Sequence, residues 1–169
     1  MILTREKILE EIEQGRVEID PYDPALVGPA SIDLRLGGEI RTMDPGSGPI
    51  DVEEAIDYRR FSTLRKLDQP FDLVSGQTIL GITLERVRLP ADLCAWLEGR
   101  SRFARLGLLV HVTAGFLSPG INNRQVLEIA NLSGRTLRLR AGTPVCQIIL
   151  QRTEGSAVYR GRFADQSRV

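Results

Sequence analysis

One histidine, two cysteines and one tryptophan in 169 residues leave this chain little metal or redox chemistry. Cys94 and Cys146 stand in separate apolar runs with no second cysteine near either, so neither a structural nor a catalytic zinc site is expected. Isolated cysteines of this kind are usually small buried hydrophobes, and a disulfide is not expected of a cytosolic chain. No run of about 18 apolar residues occurs, so no membrane span is expected. The N-terminal MILTREK is charged at once and lacks a signal-type apolar stretch, which makes a cytoplasmic protein the expectation. Lys+Arg and Asp+Glu number 22 each, so the formal net charge is zero. A neutral chain has no general attraction to nucleic acid or to a membrane, and any basic site must be local. Neither GxxxxGK[ST] nor GxGxxG is present, and no helix carries a basic face for a DNA groove.

What is there reads mostly as strands. Residues 1–15 are the exception: Thr4 can cap a helix with Ile8, Leu9 and Ile12 on one face and Gly15 as its stop. Pro21, Pro24, Gly28 and Pro29 then mark a loop. Ser31 to Leu36 alternates polar and apolar residues, and Ile40 to Met43 continues that strand beyond the Gly37-Gly38 kink. Residues 44–69 carry no clear pattern. Thr78 to Val87 alternates again, with Leu80, Ile82 and Leu84 on one face, and Leu93, Ala95 and Leu97 do the same. Further short apolar runs follow at 108–112, 126–132, 137–139 and 145–150, separated by turns at Gly115, Pro119-Gly120, Ser133-Gly134 and Ala141-Gly142. Many short strands with Gly/Pro turns predict a mainly β sandwich or barrel in a single domain spanning 1–169. Residues 155–169 are polar and basic, and read as a flexible arm able to close over a ligand.

The segment Trp96–Ser118 concentrates the chemistry. Arg100, Ser101, Arg102 and Arg105 fall within six residues. Closely spaced guanidinium groups repel one another unless an anion neutralises them, and their planar forks suit phosphate or carboxylate. A solvated turn is the plain alternative. Ser101 reads either as a helix cap or as a hydroxyl offered to a water or phosphate. His111, between two valines, reads as a hydrogen-bonded structural histidine. Glu128, mid-strand in Val126-Leu127-Glu128-Ile129-Ala130, either faces water or faces Arg105 across a pocket, where it would be a candidate general acid and base.

Several blocks in this order resemble the deoxycytidine triphosphate (dCTP) deaminase family, within the trimeric dUTPase superfamily. They are Leu97-Glu98-Gly99-Arg100-Ser101, Ala104 to Leu108, His111 to Phe116, Pro119-Gly120 and Val126-Leu127-Glu128. Asp20-Pro21, Ser31 to Gly37, Thr83-Leu84-Glu85 and Leu89-Pro90 extend the likeness over nearly the whole chain. The resemblance implies a distorted dUTPase-like β-barrel of the β-clip type, assembled as a homotrimer with active sites between subunits. It implies a water attacking C4 of cytosine without zinc, with Glu128 as proton shuttle. Arg105 would pair with Glu128, Ser101 would stand beside the water, and the Ala114 carbonyl would be a backbone acceptor. Substrate binding would fall to Arg100, Ser101, Arg102, Thr113, Val126 and Tyr159, with Arg162 and Gln166 of the tail closing over the phosphates. Magnesium would arrive bound to the triphosphate, and dCTP, dUTP and dTTP are the nucleotides the family handles. Zinc nucleobase deaminases need an H-x-E and P-C-x-x-C set, which this chain cannot supply.

Three positions depart from the usual pattern. Arg102 stands where a second serine is common. Gly115 follows Ala114, as in members that both deaminate and cleave the triphosphate, where single-activity forms often have His. Ser118 lies ten residues before Glu128, where an aspartate used on the hydrolytic water is usual. Ser118 makes dUTP, released with ammonia, the expected product, while Gly115 favours the bifunctional form. The alternatives are a bifunctional enzyme giving dUMP and pyrophosphate, and a non-catalytic nucleotide-binding trimer.

Overall fold

The computed structural model describes residues 1–46 and 48–169. Helix α1 (Arg5–Glu13) is followed by β1 (Glu18–Asp20), β2 (Ile32–Met43), β3 (Ser62–Lys66), β4 (Phe71–Leu73), β5 (Thr78–Arg88) and β6 (Leu93–Gly99). The one-turn helix α2 (Ser101–Ala104) precedes β7 (Leu108–Val110), β8 (Phe116–Leu117), β9 (Asn122–Asn131), β10 (Leu137–Leu139) and β11 (Pro144–Arg152). The architecture is the mainly β barrel that the strand pattern predicts.

One curled sheet runs β7-β9-β5-β2-β11-β6-β8, with β1 added to β5 and β3 to β2; β10 and β4 form a separate ribbon. Alternating side chains put Ile32, Leu34 and Leu36 of β2, Leu127 and Ile129 of β9 and Ile148 of β11 into one core. β5 alternates as expected, but its core face is Ile79, Gly81, Thr83, Glu85 and Val87, while Leu80 and Leu84 are only half-buried on the other side. A charged residue in that core follows from a partner: Glu85, fully buried, accepts from the Arg35 backbone N–H at 2.8 Å and from its Nε at 2.5 Å. The Gly37-Gly38 kink coincides with a shift in register between β2 and β5.

Helix α1 starts after Thr4, whose side chain makes no capping bond, and adds the fully buried Ile8 to the core. Its Glu11 is also buried, bonded to Arg16 Nε at 2.7 Å and to Arg152 Nη2 at 2.5 Å. Within 44–69, β3 pairs with β2, a strand that no period-2 pattern announced. The tail lies along the outer face of β9. Arg124 N donates to Gln166 O at 3.0 Å, Gln166 Nε2 returns to Arg124 O at 2.9 Å, and Tyr159 N donates to Pro119 O at 3.0 Å. No helix among the described residues is long and apolar enough to cross a membrane.

Candidate active site

β5 and β9 set the site. Their register places Leu80 opposite Glu128, on the face away from the core. Leu127 and Ile129 point inward, so the strand period forces Glu128 and Val126 outward. The tail and the 111–118 loop wall that outer face into a cavity of about 460 Å³. Its walls include Ala114, Ser118, Val126, Glu128, Tyr159 and Gln166. Five of the sequence-selected residues thus share one cavity: Ala114, Val126, Glu128, Tyr159 and Gln166.

Glu128 is only one-third exposed in its side chain, and its Oε2 is buried. Its neighbour within the chain is His111, not Arg105: His111 Nδ1 is 3.4 Å from Oε2. That separation is within ion-pair range, but the alignment is not that of a hydrogen bond, and neither ring nitrogen of His111 has a partner. The hydrogen-bonded structural histidine expected at this position is therefore not what is found. No arginine or lysine among the described residues lines the cavity.

The arginine segment folds elsewhere on the chain. Arg100 is the residue before α2 and Ser101 its first helical residue, so Ser101 is not the cap; it is exposed, as are Arg102 and Arg105. Arg100 is held by Asp33 at 2.8 Å and by the Pro144 carbonyl at 3.0 Å. Burial pushes the Asp33 carboxyl above its ordinary value, and the charges of Arg100 and Arg102 pull the other way. The Arg105 backbone N–H donates to Ser101 O at 3.1 Å, while its side chain forms no hydrogen bond or ion pair among the described residues. Thr113 is exposed on the loop after His111. Arg162 lies over the Phe163 ring at 5.8 Å and lines a neighbouring cleft with Tyr58 and Arg59.

Gly115 has a steric reason. A Cβ there would meet the Leu97 carbonyl oxygen at 2.9 Å, while Leu97 N donates to Gly115 O at 2.7 Å. The bare backbone lets the loop close onto β6 and so places Ala114 at the cavity. Reading the sequence missed Tyr58, Asn123 and Phe163 as wall residues. Tyr58 falls in the unpatterned 44–69 segment, and Phe163 reaches the wall only because the tail folds back: Asn123 Nδ2 donates to Phe163 O at 2.8 Å. Cys94 and Cys146 are free and buried, and burial pushes the Cys146 thiol up. No group of three His, Cys, Asp or Glu side chains that could hold a metal ion comes together among the described residues.

A family model described as dCTP deaminase-like matches residues 2–153. The chain is 38% identical over 181 residues to a dCTP deaminase, dUMP-forming, of Parafrankia sp. (strain EAN1pec), covering 98% of this chain and 87% of that protein. It is 39% identical over 154 residues to a protein of the same description from Methanoregula boonei (91% and 84%), and 39% identical over 175 residues to one from Streptomyces coelicolor (98% and 91%). The crystal structure of 2'-deoxycytidine 5'-triphosphate deaminase from Agrobacterium tumefaciens superposes with a TM-score of 0.72 at 25% identity. That match covers 90% of this chain, which spans about half the length (48%) of the solved one. With a model matched across the barrel and relatives aligned along almost its full length, the chain belongs to the dCTP deaminase-like family.

Proposed function

We propose that this protein hydrolyses dCTP through to dUMP, releasing ammonia and pyrophosphate. The observation that carries the chemistry is Glu128, raised from a β-strand into a walled cavity with one oxygen buried and the rest of the carboxylate open. A water adds to C4 of cytosine. Glu128 takes a proton from that water, passes one to N3, and delivers the next to the amino group as the C4–N bond breaks and ammonia leaves. The Ala114 carbonyl on the cavity wall accepts from the water or the amine. A second water then attacks the α-phosphorus and displaces pyrophosphate.

A triphosphate needs cations, and the Glu128 cavity has none among its own walls. The Arg100–Arg105 turn has cations and hydroxyl but lies outside that cavity. These half-sites complement each other, which supports a homotrimer in which Arg100, Ser101, Arg102 and Arg105 of one subunit meet Glu128 of the next. Arg105 would then pair with Glu128 across the boundary, and Thr113, Tyr159, Arg162 and Gln166 would contact the nucleotide. Magnesium would enter on the triphosphate oxygens and offset their charge.

The dUMP product reverses the expectation drawn from Ser118. The curated relatives cited above are all described as dUMP-forming, and Gly115 agrees with them. Ser118 favours the second reading, release of dUTP, because a neutral hydroxyl lines the cavity where a carboxylate is usual. Incubation with dCTP and magnesium followed by nucleotide chromatography separates the readings. Accumulation of dUMP and pyrophosphate supports the first, dUTP alone the second, and unchanged dCTP defeats both.

A further inference from the structure

The chain's one histidine has no place in the chemistry above, yet three observations converge on it. His111 has φ +61°, the only positive φ at a residue other than glycine among those described. Its backbone N–H donates to the Glu128 carbonyl at 2.7 Å, extending the β7–β9 ladder by one bond. Its two ring nitrogens and Glu128 Oε2 are the buried side-chain polar atoms left without a hydrogen-bond partner among the described residues. Left-handed backbone at a bulky residue and unpartnered buried polar atoms are both unfavourable, and both tend to gather where function requires them. Glycine or asparagine would take this turn with less strain, so the backbone alone does not call for imidazole.

The turn has a geometric effect. Strand β7 ends at Val110, and the left-handed residue folds the ring back toward Glu128. The imidazole side chain is 7% exposed against 33% for Glu128, so the ring backs Oε2 and the carboxylate's exposure lies on its cavity side.

Resting on the reading of Glu128 as proton shuttle, we propose that His111 is its positioning residue. An imidazole carrying a proton on Nδ1 donates to Oε2 after a small rotation from the observed 3.4 Å approach. That bond stops the carboxylate from turning and makes Oε1 the oxygen that takes and returns protons. His111 itself lines the cavity beside Glu128, and the role proposed for it is exercised through that carboxylate.

Two substitutions separate ring from backbone. His111→Gly keeps the left-handed turn and removes the ring. His111→Asn keeps the turn and returns an amide donor near the place of Nδ1. With ammonia release from dCTP and magnesium as the readout, His111→Gly is expected to lose about 10- to 100-fold in kcat with KM within about threefold, and His111→Asn to recover most of it. A His111→Gly enzyme with wild-type kcat overturns the proposal. Because the chain has one histidine, nitrogen-15 NMR of tag-free protein reads its imidazole without ambiguity. A ring protonated on Nδ1 whose signal moves in Glu128→Ala supports the bond; a ring unprotonated on Nδ1, or indifferent to Glu128→Ala, overturns it. Should the wild type release no ammonia, the proposed activity fails, while the NMR measurement still decides the His111–Glu128 contact.

Discussion

Glu128 and Gly115 are the residues on which the chemistry turns, and each makes a separate prediction. Glu128→Gln keeps the shape of the side chain and removes its proton transfer. Ammonia release should fall to background while nucleotide affinity, read by calorimetry, stays within about tenfold. Release at near wild-type rate would take the shuttle role away from Glu128. Gly115→Ala forces a methyl group against the Leu97 carbonyl at 2.9 Å, a backbone atom that cannot swing aside. The loop must shift, so urea unfolding should show a loss of about 1–3 kcal/mol, and turnover should fall with it because Ala114 is the next residue. Unchanged stability and turnover would mean that the loop does not depend on this approach.

Elements are joined here by buried charge as much as by apolar packing. Helix α1 is short and helices of that length need tertiary support. Ile8 supplies part of it; Glu11, clamped between Arg16 and Arg152, supplies a polar part. Burial acts to raise the Glu11 carboxyl, but the hydrogen bonds from Arg16 and Arg152 outweigh it and hold the group below its ordinary value of 4.5. A lowered native value means the carboxylate stabilises the fold above its unfolded value, and that stabilisation is lost as pH falls through the native value. Glu11→Gln should therefore cost about 1–3 kcal/mol near neutrality. The gap to wild type in thermal midpoint should narrow as pH falls below about 4.5. A gap that stays constant as pH falls would show that the Glu11 charge does not contribute.

The molecule as a whole poses a matching problem. Among the described residues no cation lines the carboxylate cavity, and the arginine turn lies outside it. If the two halves meet between subunits, Glu128→Gln and Arg105→Ala chains should each be inactive alone and active when refolded together. In a random mixture about a quarter of the sites would pair an intact Arg105 with an intact Glu128. No recovery in the mixture would place both residues in one chain's site or remove Arg105 from the chemistry.

Much of this was legible before any coordinates. Strand alternation and Gly/Pro turns determine a mainly β sandwich or barrel, because period-2 patterning leaves a chain few other ways to bury its apolar face, and the resemblance points to the barrel. The strand pattern points to Glu128, and the resemblance adds Ala114, Val126, Tyr159 and Gln166; the fold brings all five to one cavity. What the sequence by itself did not determine was sidedness and company. Alternation in β5 is symmetric, so only packing decided that Ile79 faces the core and Leu80 the cavity. β3 had no pattern of its own and exists because β2 offered it an edge. Arg105 and Glu128 look like partners along the sequence, yet within one chain they are not joined. The neighbour of Glu128 is His111, brought there by a left-handed turn that local propensity disfavours and that the surrounding ladder imposes.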